Sequence, residues 1–507
     1  MSCNFSNFLR GLILPAALCL AAVGVPVWAN KCMPGRPCRP ISDLAPAIPK
    51  TYREVPVPAD AYEPPYPGDY RVQLSGGAVA YLVPDSTLDL VRLSVYVPRP
   101  NLPAKPGDVA RLRLYSALLK DGGTRALSPE RLEDSLEFVA ADLSAGIGAW
   151  QAEGSFDALS KDADAMLGLL GDVVLQPGLE ASAFKISQRE MLEGRKHRYA
   201  TPGGVMGALY ERVMFGSHPL NWAPTEAEVA ATTSASLSGL SGSGFSRDRL
   251  VHGVSGRIER TEMIRKLEAF VARFPAHEAA PVVPPFRGPL APGVYLVDKP
   301  FAQASIRIAA PGVKRPDPDY YRLLVASEIF GGGGFTSRLA LRVRSNEGLA
   351  YSVGSDVESD YNRRANVRAG LQTKAETGAL ATRLVLDEMR RMADSGITDV
   401  EMEHARETML KSLPSLFDSP ASTARIFAQS EAWGRSPEHF REYRKILETM
   451  TRAEVEDAFR RYFKADSMRI VVVGPKETLL KPDSRGLSLK DFGKVTEITE
   501  TELDKRE

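Results

Sequence analysis

The chain has 507 residues, of which 44% are hydrophobic and 25% are charged, and its formal net charge is +1. This length predicts two to four folding units, and this composition is typical of an ordinary soluble globular protein. A net charge so close to zero argues against nucleic-acid binding and against attraction to an anionic membrane surface.

Residues 1–29 have the organisation of an export signal. Arg10 precedes an apolar run over residues 11–25, and Ala29 provides a small residue at the end of the signal, where cleavage is expected. The run is too short for a membrane span, and no later segment is apolar enough to cross a bilayer. We therefore expect an exported chain without a transmembrane segment, located in a bacterial periplasm.

A proline-rich leader over residues 30–67 follows the signal and contains Cys32 and Cys38, which are separated by five residues. In an oxidising compartment this spacing predicts a small disulfide loop between the two cysteines. A metal-binding or redox pair is the alternative, and it is disfavoured because no histidine or further cysteine stands nearby in the sequence.

The rest of the chain divides at a second proline-rich segment, residues 277–292. This linker separates a first half over residues 68–276 from a second half over residues 293–478. A charged tail without a clear apolar period follows over residues 479–507. We therefore expect two halves that are joined by this linker.

The two halves resemble each other in sequence. Residues 81–83 (Tyr-Leu-Val) recur 214 positions later as residues 295–297, and the glycines that close two strand-like runs, Gly256 and Gly474, are 218 positions apart. Offsets this similar indicate duplication of one unit. Because strand-like runs alternate with helical apolar spacing, as over residues 161–174, we predict α+β halves, each with a sheet covered by helices on one face.

A glycine-rich run, Gly331 to Gly334, opens the most informative segment of the second half. It leads into a helical stretch carrying Arg344, which ends near Gly348, and Tyr351 then begins a strand. Because the chain folds back between helix and strand, it can direct a cation and a phenol to one place. A tight turn with a solvated arginine is the alternative.

The segment from Gly331 through Arg344 to Val353 resembles the C-terminal half of pitrilysin/insulinase-type proteins, the inverzincin peptidases. Further similarity lies in residues 296–303 and 317–321, and together the resemblance covers about residues 70 to 478. It implies two homologous α+β halves, each a mostly antiparallel β-sheet covered by helices, arranged as a clam-shell.

Active members of this family hold zinc in the first half through H-x-x-E-H and a distant glutamate. Aligning Gly123 with the glycine that follows this motif places Leu114, Ala117 and Leu118 at the three motif positions and Gly194 at the distant position. None of these residues has a side chain that binds a metal. The resemblance therefore implies that this zinc site is degenerate and that the chain binds no cofactor itself.

Other catalytic motifs are weak or missing from the sequence. No two of the six histidines are close together, no G-x-S-x-G elbow is present, and no Lys-Ser/Thr follows the glycine run to make a phosphate loop. A serine triad is not excluded by spacing, since its members meet only in space.

In the family, the arginine and tyrosine that correspond to Arg344 and Tyr351 help to hold the substrate peptide near the zinc. An arginine donates to peptide carbonyl groups, and a tyrosine hydroxyl can stabilise a developing oxyanion. The resemblance thus implies a substrate-binding role for both residues. A purely structural role, in which they join a helix end to a strand, is the alternative.

These features predict a catalytically silent subunit of a two-chain periplasmic zinc endopeptidase. Its partner in the heterodimer would be a homologous subunit that carries H-x-x-E-H and the zinc, and this chain would supply Arg344 and Tyr351 to a shared chamber. The alternative is a non-enzymatic peptide-binding or scaffold protein of the cell envelope, which binds extended peptide along an exposed strand edge. A self-contained protease with an unrecognised site is a third hypothesis.

Overall fold

The computed structural model describes residues 62–506 with the exception of Glu278, Ala280 and Arg287. The predicted export signal and the Cys32–Cys38 loop lie outside these described residues. A compact unit begins at Tyr62 and extends to the end of the chain.

The first half contains a six-stranded mixed sheet in the order β1-β2-β6-β3-β5-β4. Only β2 and β6 pair in parallel, and the other neighbours are antiparallel. The strands are β1 (Arg71–Gln73), β2 (Val79–Pro84), β3 (Leu90–Pro98), β4 (Asp142–Ile147), β5 (Gln151–Leu159) and β6 (Val251–Gly256).

The second half has the order β12-β7-β11-β8-β10-β9, which repeats the first sheet at five positions and differs at the edge strand β12, a segment of the C-terminal tail. Here β7 pairs in parallel with both β11 and β12, and the other neighbours are antiparallel. The strands are β7 (Gly293–Asp298), β8 (Gln303–Pro311), β9 (Ala350–Val357), β10 (Asn366–Lys374), β11 (Arg469–Gly474) and β12 (Val495–Glu497). The two sheets confirm the predicted α+β class with two homologous halves.

Helices connect the strands in both halves, and many begin at a serine or threonine that caps the free N–H groups of the first turn. Those before the linker are α1 (Asp108–Asp121), α2 (Pro129–Phe138), α3 (Ala163–Leu175), α4 (Ala181–Lys196), α5 (Pro202–Phe215), α6 (Glu226–Ala231), α7 (Ser234–Leu237) and α8 (Arg260–Val271). Those after it are α9 (Asp319–Ser327), α10 (Gly378–Ser395), α11 (Asp399–Leu416), α12 (Pro420–Ala432), α13 (His439–Thr449), α14 (Arg452–Tyr462), α15 (Lys476–Leu480) and α16 (Glu500–Leu503). In the part of the chain that the structure describes, no helix combines the length and apolar character of a membrane span.

The two halves exchange one helix each. Helix α5 precedes the linker but packs on the second sheet, where its buried residues join Val471 and Val473 of β11 in one apolar cluster. Helix α12 lies in the second half but packs on the first sheet, where Phe427 contacts Tyr81 of β2. The two helices begin 218 positions apart, so they are equivalent members of the duplication.

This exchange means that each sheet is covered on one face by helices of its own half and on the other by a helix of the opposite half. The approach of α12 to the first sheet is close, because a Cβ added at Gly253 would lie 2.5 Å from the Ala424 carbonyl oxygen. The sequence prediction that helices cover each sheet on one face did not include the exchanged helix.

The segment described from sequence as a charged tail contains a strand and packs against both halves. Strand β12 extends the second sheet beside β7. Asp504 accepts a hydrogen bond from the Tyr199 hydroxyl at 2.6 Å and pairs with Arg195, while Arg506 pairs with Glu228 at 2.5 Å. Asp504 and Arg506 therefore join the end of the tail to the first half, whereas Arg485 and Glu500 pair with Glu347 and Lys299 of the second half.

Candidate functional site

The helix that the sequence resemblance places at the zinc-binding position is α1, which packs beside α4 and against β4. Leu114 and Leu118 are fully buried in the core of the first half. Because these two positions are one helical turn apart, the face that would present both zinc-binding histidines is here part of the hydrophobic core.

The other two predicted positions are accessible. Ala117 is exposed and lines a cleft of about 450 Å³ together with Arg113 and Ser116 of the same helix. Gly194 on α4 is also exposed, and a Cβ added there would have no neighbour within 4 Å. Among the side chains that the structure describes, no group of three or more histidines, cysteines, aspartates or glutamates is placed to hold a metal ion.

The glycine run has a structural explanation at two positions. A Cβ on Gly331 would lie 2.5 Å from the backbone nitrogen of Ser355, so only glycine lets this turn approach β9 so closely. Gly334 has a φ of +59°, which favours glycine. Just beyond the run, Arg338 forms a two-pronged ion pair with Glu401, at 2.6 and 2.8 Å. This part of the motif therefore holds α11 in place.

Arg344 lies in the last turn of a wide helical segment, Ala340–Asn346. The turn ends with hydrogen bonds from the Gly348 amide to the Arg344 carbonyl and from the Leu349 amide to the Val343 carbonyl, both at 3.0 Å. Gly348 has a φ of +64°, as the sequence signal for a helix C-terminus predicts. The chain then enters β9 almost at once.

Tyr351 is part of a β-bulge in β9. Between the residue pairs Val353–Leu371 and Ala350–Thr373, β9 has two residues where β10 has one, and Tyr351 is the first of these two. A bulge increases the local twist and redirects side chains. The Tyr351 side chain is 85% exposed.

The structure brings Arg344 and Tyr351 together and adds a third residue, Phe335. The guanidinium carbon of Arg344 lies 4.9 Å from the ring centre of Tyr351 and 4.4 Å from that of Phe335. Phe335 is itself 68% exposed. No carboxylate in the described part of the chain forms an ion pair with Arg344, which is therefore held between two exposed rings.

Sequence reasoning missed Phe335. Its signal was weak but present, because it is a large apolar residue between Gly334 and Thr336 in an otherwise small and polar turn. Chemically, the three side chains offer N–H donors, a phenol and an aromatic face on one exposed surface. Such a surface can hold a peptide carbonyl and pack against an apolar side chain.

Comparison with known proteins identifies the family of this fold. Residues 244–409 match the family model described as "Peptidase M16 inactive domain". These residues of the chain are therefore similar to a peptidase M16 inactive domain. The resemblance to pitrilysin/insulinase-type proteins, as a homologue without the zinc motif, is thereby confirmed.

Curated relatives include both proteases and a protein named as inactive. An uncharacterized zinc protease of Mycobacterium bovis is 25% identical over 332 residues, covering 62% of this chain and 73% of the relative. The "Non-peptidase homolog YmxG" of Helicobacter pylori is 23% identical over 306 residues, covering 60% of this chain and 70% of the relative. One of these relatives is thus named as a protein without peptidase activity.

Solved structures share the fold over most of this chain. A peptidase M16 inactive domain from Pseudomonas fluorescens has a TM-score of 0.72 at 22% identity, covering 80% of this chain and 97% of that chain. The periplasmic protease PqqL from Escherichia coli has a TM-score of 0.69 at 14% identity, covering 80% of this chain and 45% of that one. The fold of this chain is therefore shared with these two structures.

Proposed function

We propose that this chain is the catalytically silent, substrate-holding subunit of a two-chain periplasmic zinc endopeptidase. Its homologous partner carries H-x-x-E-H and the zinc, and the two chains share one peptide-binding chamber. Arg344 and Tyr351 donate hydrogen bonds to the peptide there, and Phe335 keeps the guanidinium group in place by stacking against it.

The observation that carries this proposal is the contrast between two parts of one fold. Leu114 and Leu118 are buried in the core where a metal would be held, whereas Arg344 is half-buried, lies against two exposed rings and makes no ion pair among the described residues. An arginine with a structural role alone would be expected to bond to a carboxylate or to backbone carbonyl groups, as Arg338 does with Glu401.

Export to the periplasm is part of the same proposal. It is supported by the signal-like residues 1–29 and by the likeness of the fold to PqqL, which is described as a periplasmic protease.

The test is co-expression with a homologous H-x-x-E-H protein from the same organism. We expect the isolated chain to hold no stoichiometric zinc and to cleave no peptide, and the pair to cleave peptides in a chelator-sensitive way. R344A should lower kcat/KM of the pair by about 10- to 100-fold, the scale of losing a charged donor to the reacting carbonyl. Arg342 is exposed in the same turn, so R342A is the matched control and should leave kcat/KM unchanged.

Stability measurements separate function from folding. Because cation–π contacts at exposed sites contribute only about 0.5–1 kcal/mol each, R344A should unfold nearly as the wild type does. Zinc content and chelator-sensitive cleavage in the isolated chain would contradict the proposal. So would full turnover of the R344A pair.

A second function is favoured by the sheet edges. Strands β4 and β9 each pair with a single neighbour, so each presents one edge to which an extended peptide can add. A scaffold that binds peptide in this way needs no zinc-bearing partner. Saturable peptide binding to the isolated chain, with no partner recovered on co-purification, would favour this function over the first.

A further inference from the structure

A cavity of about 880 Å³ lies between the two halves, a volume within the range of small-molecule sites. The first half contributes Trp150 and residues 98–100 to its wall, and most of the rest comes from the segments around Arg315, Tyr361 and Arg435. None of the six residues discussed above as zinc-site or substrate-binding positions lines this cavity.

Two arginines in the wall have no carboxylate partner among the residues that the structure describes. Arg315 is only 8% exposed, and its guanidinium donates to the Ser359 hydroxyl at 3.0 Å. Arg435 donates to the Tyr361 hydroxyl at 2.6 Å and to the Ser430 hydroxyl at 3.4 Å. Burial of a guanidinium without an opposite charge is costly, so this pair leaves a strong positive potential in the cavity.

Aromatic rings hold both guanidinium groups in place. Arg315 lies 4.1 Å from the ring centre of Tyr320 and 5.0 Å from that of Tyr361. Arg435 lies 4.6 Å from the ring centre of Trp433. Stacking of this kind fixes the plane of a guanidinium but does not neutralise its charge.

The same positive potential lowers the pKa values of groups in the wall. Burial and the like charge of Arg315 lower the pKa of Arg435. Burial and the charges of Arg435 and Arg315 lower the pKa of His439 to about 3, so this histidine is neutral at physiological pH.

The remaining charged residues of the wall do not offset this potential. Glu454 is already engaged, because it accepts hydrogen bonds from Arg322 at 2.8 Å and from the Thr451 amide at 2.9 Å. Glu442 is exposed. Arg322 is in turn paired with Glu454 and Asp319, and the exposed Lys314 balances Glu442, so Arg315 and Arg435 set the potential of the wall.

Two tryptophans add donors and a flat surface. Among the described residues, the indole N–H groups of Trp150 and Trp433 have no hydrogen-bond partner. The Trp433 ring already stacks on Tyr361, with ring centres 5.9 Å apart, whereas Trp150 has no ring contact in the described part of the chain. The face of Trp150 is therefore available to a ring from a ligand.

We propose that this cavity binds a small ligand that combines a carboxylate with a flat aromatic ring. The carboxylate lies between the guanidinium groups of Arg315 and Arg435, and the ring stacks on Trp150. Because Trp150 belongs to the first half and both arginines belong to the second, the ligand joins the two halves. This site is independent of the proposed peptidase function.

The test is calorimetric titration of the isolated full chain with naphthoate and with naphthamide, its uncharged analogue. We expect saturable binding of naphthoate to a single site and at least about tenfold weaker binding of naphthamide, because only the acid forms charge-assisted hydrogen bonds. The same titration is made with a tripeptide ending in phenylalanine and with its C-terminal amide. This comparison shows whether the carboxylate and ring can come from a peptide terminus as well as from a small free acid.

Three variants localise the binding. R435Q should weaken binding of the acid at least about tenfold, and W150L should weaken it about threefold or more by removing the stacking surface. R425Q alters an exposed arginine that does not line the cavity and should bind as the wild type does. If R435Q does not fold, W150L decides the question, because Trp150 lies at the surface of the wall and carries no charge.

The results that overturn the proposal are clear. Neither naphthoate nor the tripeptide binds saturably, or each acid binds no better than its amide. A loss of binding in R425Q as large as in R435Q and W150L also overturns the proposal. Stronger binding of naphthoate or of the free tripeptide than of its amide supports the site. Which of the two binds shows whether the carboxylate comes from a small acid or from a peptide terminus.

Discussion

The exchange of α5 and α12 makes the stability of each half depend on the other, and Phe427 is the residue that tests this. Its side chain is fully buried under the first sheet although it belongs to the second half. Its ring centre lies 5.7 Å from those of Tyr70, Tyr81 and Phe417. F427A removes all three ring contacts and leaves a cavity between α12 and the sheet.

The expected loss of unfolding free energy in F427A is large. Truncating a buried phenylalanine to alanine costs about 3–5 kcal/mol, and aromatic pairs add about 0.5–1.5 kcal/mol each beyond burial. With three such pairs and no solvent exposure, we place F427A near the upper end, at about 4–5 kcal/mol. A loss of this size is a large fraction of the roughly 5–15 kcal/mol that stabilises a typical domain.

Urea unfolding followed by far-UV circular dichroism measures this effect. F138A is the matched control, because Phe138 is 90% exposed and the same atoms are removed from solvent-facing surface. We expect a much lower midpoint for F427A and little change for F138A. Because α12 covers the first sheet, limited proteolysis of F427A should also cleave within residues 68–276. Equal midpoints for the two variants would refute the reasoning.

Two further predictions concern the glycine-rich motif. Burial raises the pKa of Glu401, but hydrogen bonds from Arg338 and the Thr398 amide lower it overall to about 2. The ion pair is therefore fully stabilising above pH ~4.5 and is lost as the pH falls towards 2. R338M should lower the free energy of unfolding, measured in urea, by about 2–3 kcal/mol at pH 7. Its difference from the wild type should shrink below pH ~4.5, and a difference that does not change with pH would contradict this assignment. G331A should destabilise by about 2–4 kcal/mol, since the new Cβ meets the backbone of β9. G207A is the control within α5, where a Cβ meets nothing within 4 Å, and it should be neutral or stabilising by up to about 1 kcal/mol; an equal loss in both variants would exclude the close approach as the cause.

The duplication was accessible from the sequence because it is a property of the order of residues. The repeat of Tyr81 at Tyr295 and of Gly256 at Gly474 predicted two similar units, and the strands β2, β6, β7 and β11 contain these residues. The replacement of zinc ligands by Leu114, Ala117, Leu118 and Gly194 also follows from residue identity and the family resemblance alone. A helix end at Gly348 was predicted in the same way, since it depends on local backbone conformation.

Other features depended on contacts between distant segments. An apolar face on α5 or α12 shows that the helix is buried, but not which sheet buries it, so the exchange was beyond sequence reasoning. The charged residues of the tail gave no sign of β12, because a short edge strand is determined by the neighbour it pairs with. Phe335 became part of the site only when folding placed it against Arg344.

The sequence by itself determined the family resemblance, the two halves and the identity of the candidate substrate-binding pair, since each depends only on the order and spacing of residues along the chain. The tertiary structure decided that Arg344 lies between two exposed rings, that each half lends a helix to the other, and that Arg315 and Arg435 share a cavity with Trp150. The physical reason is that a charge in sequence carries no information about its distant neighbours. Whether an arginine is neutralised or left to bind a ligand depends on which side chains the fold places around it.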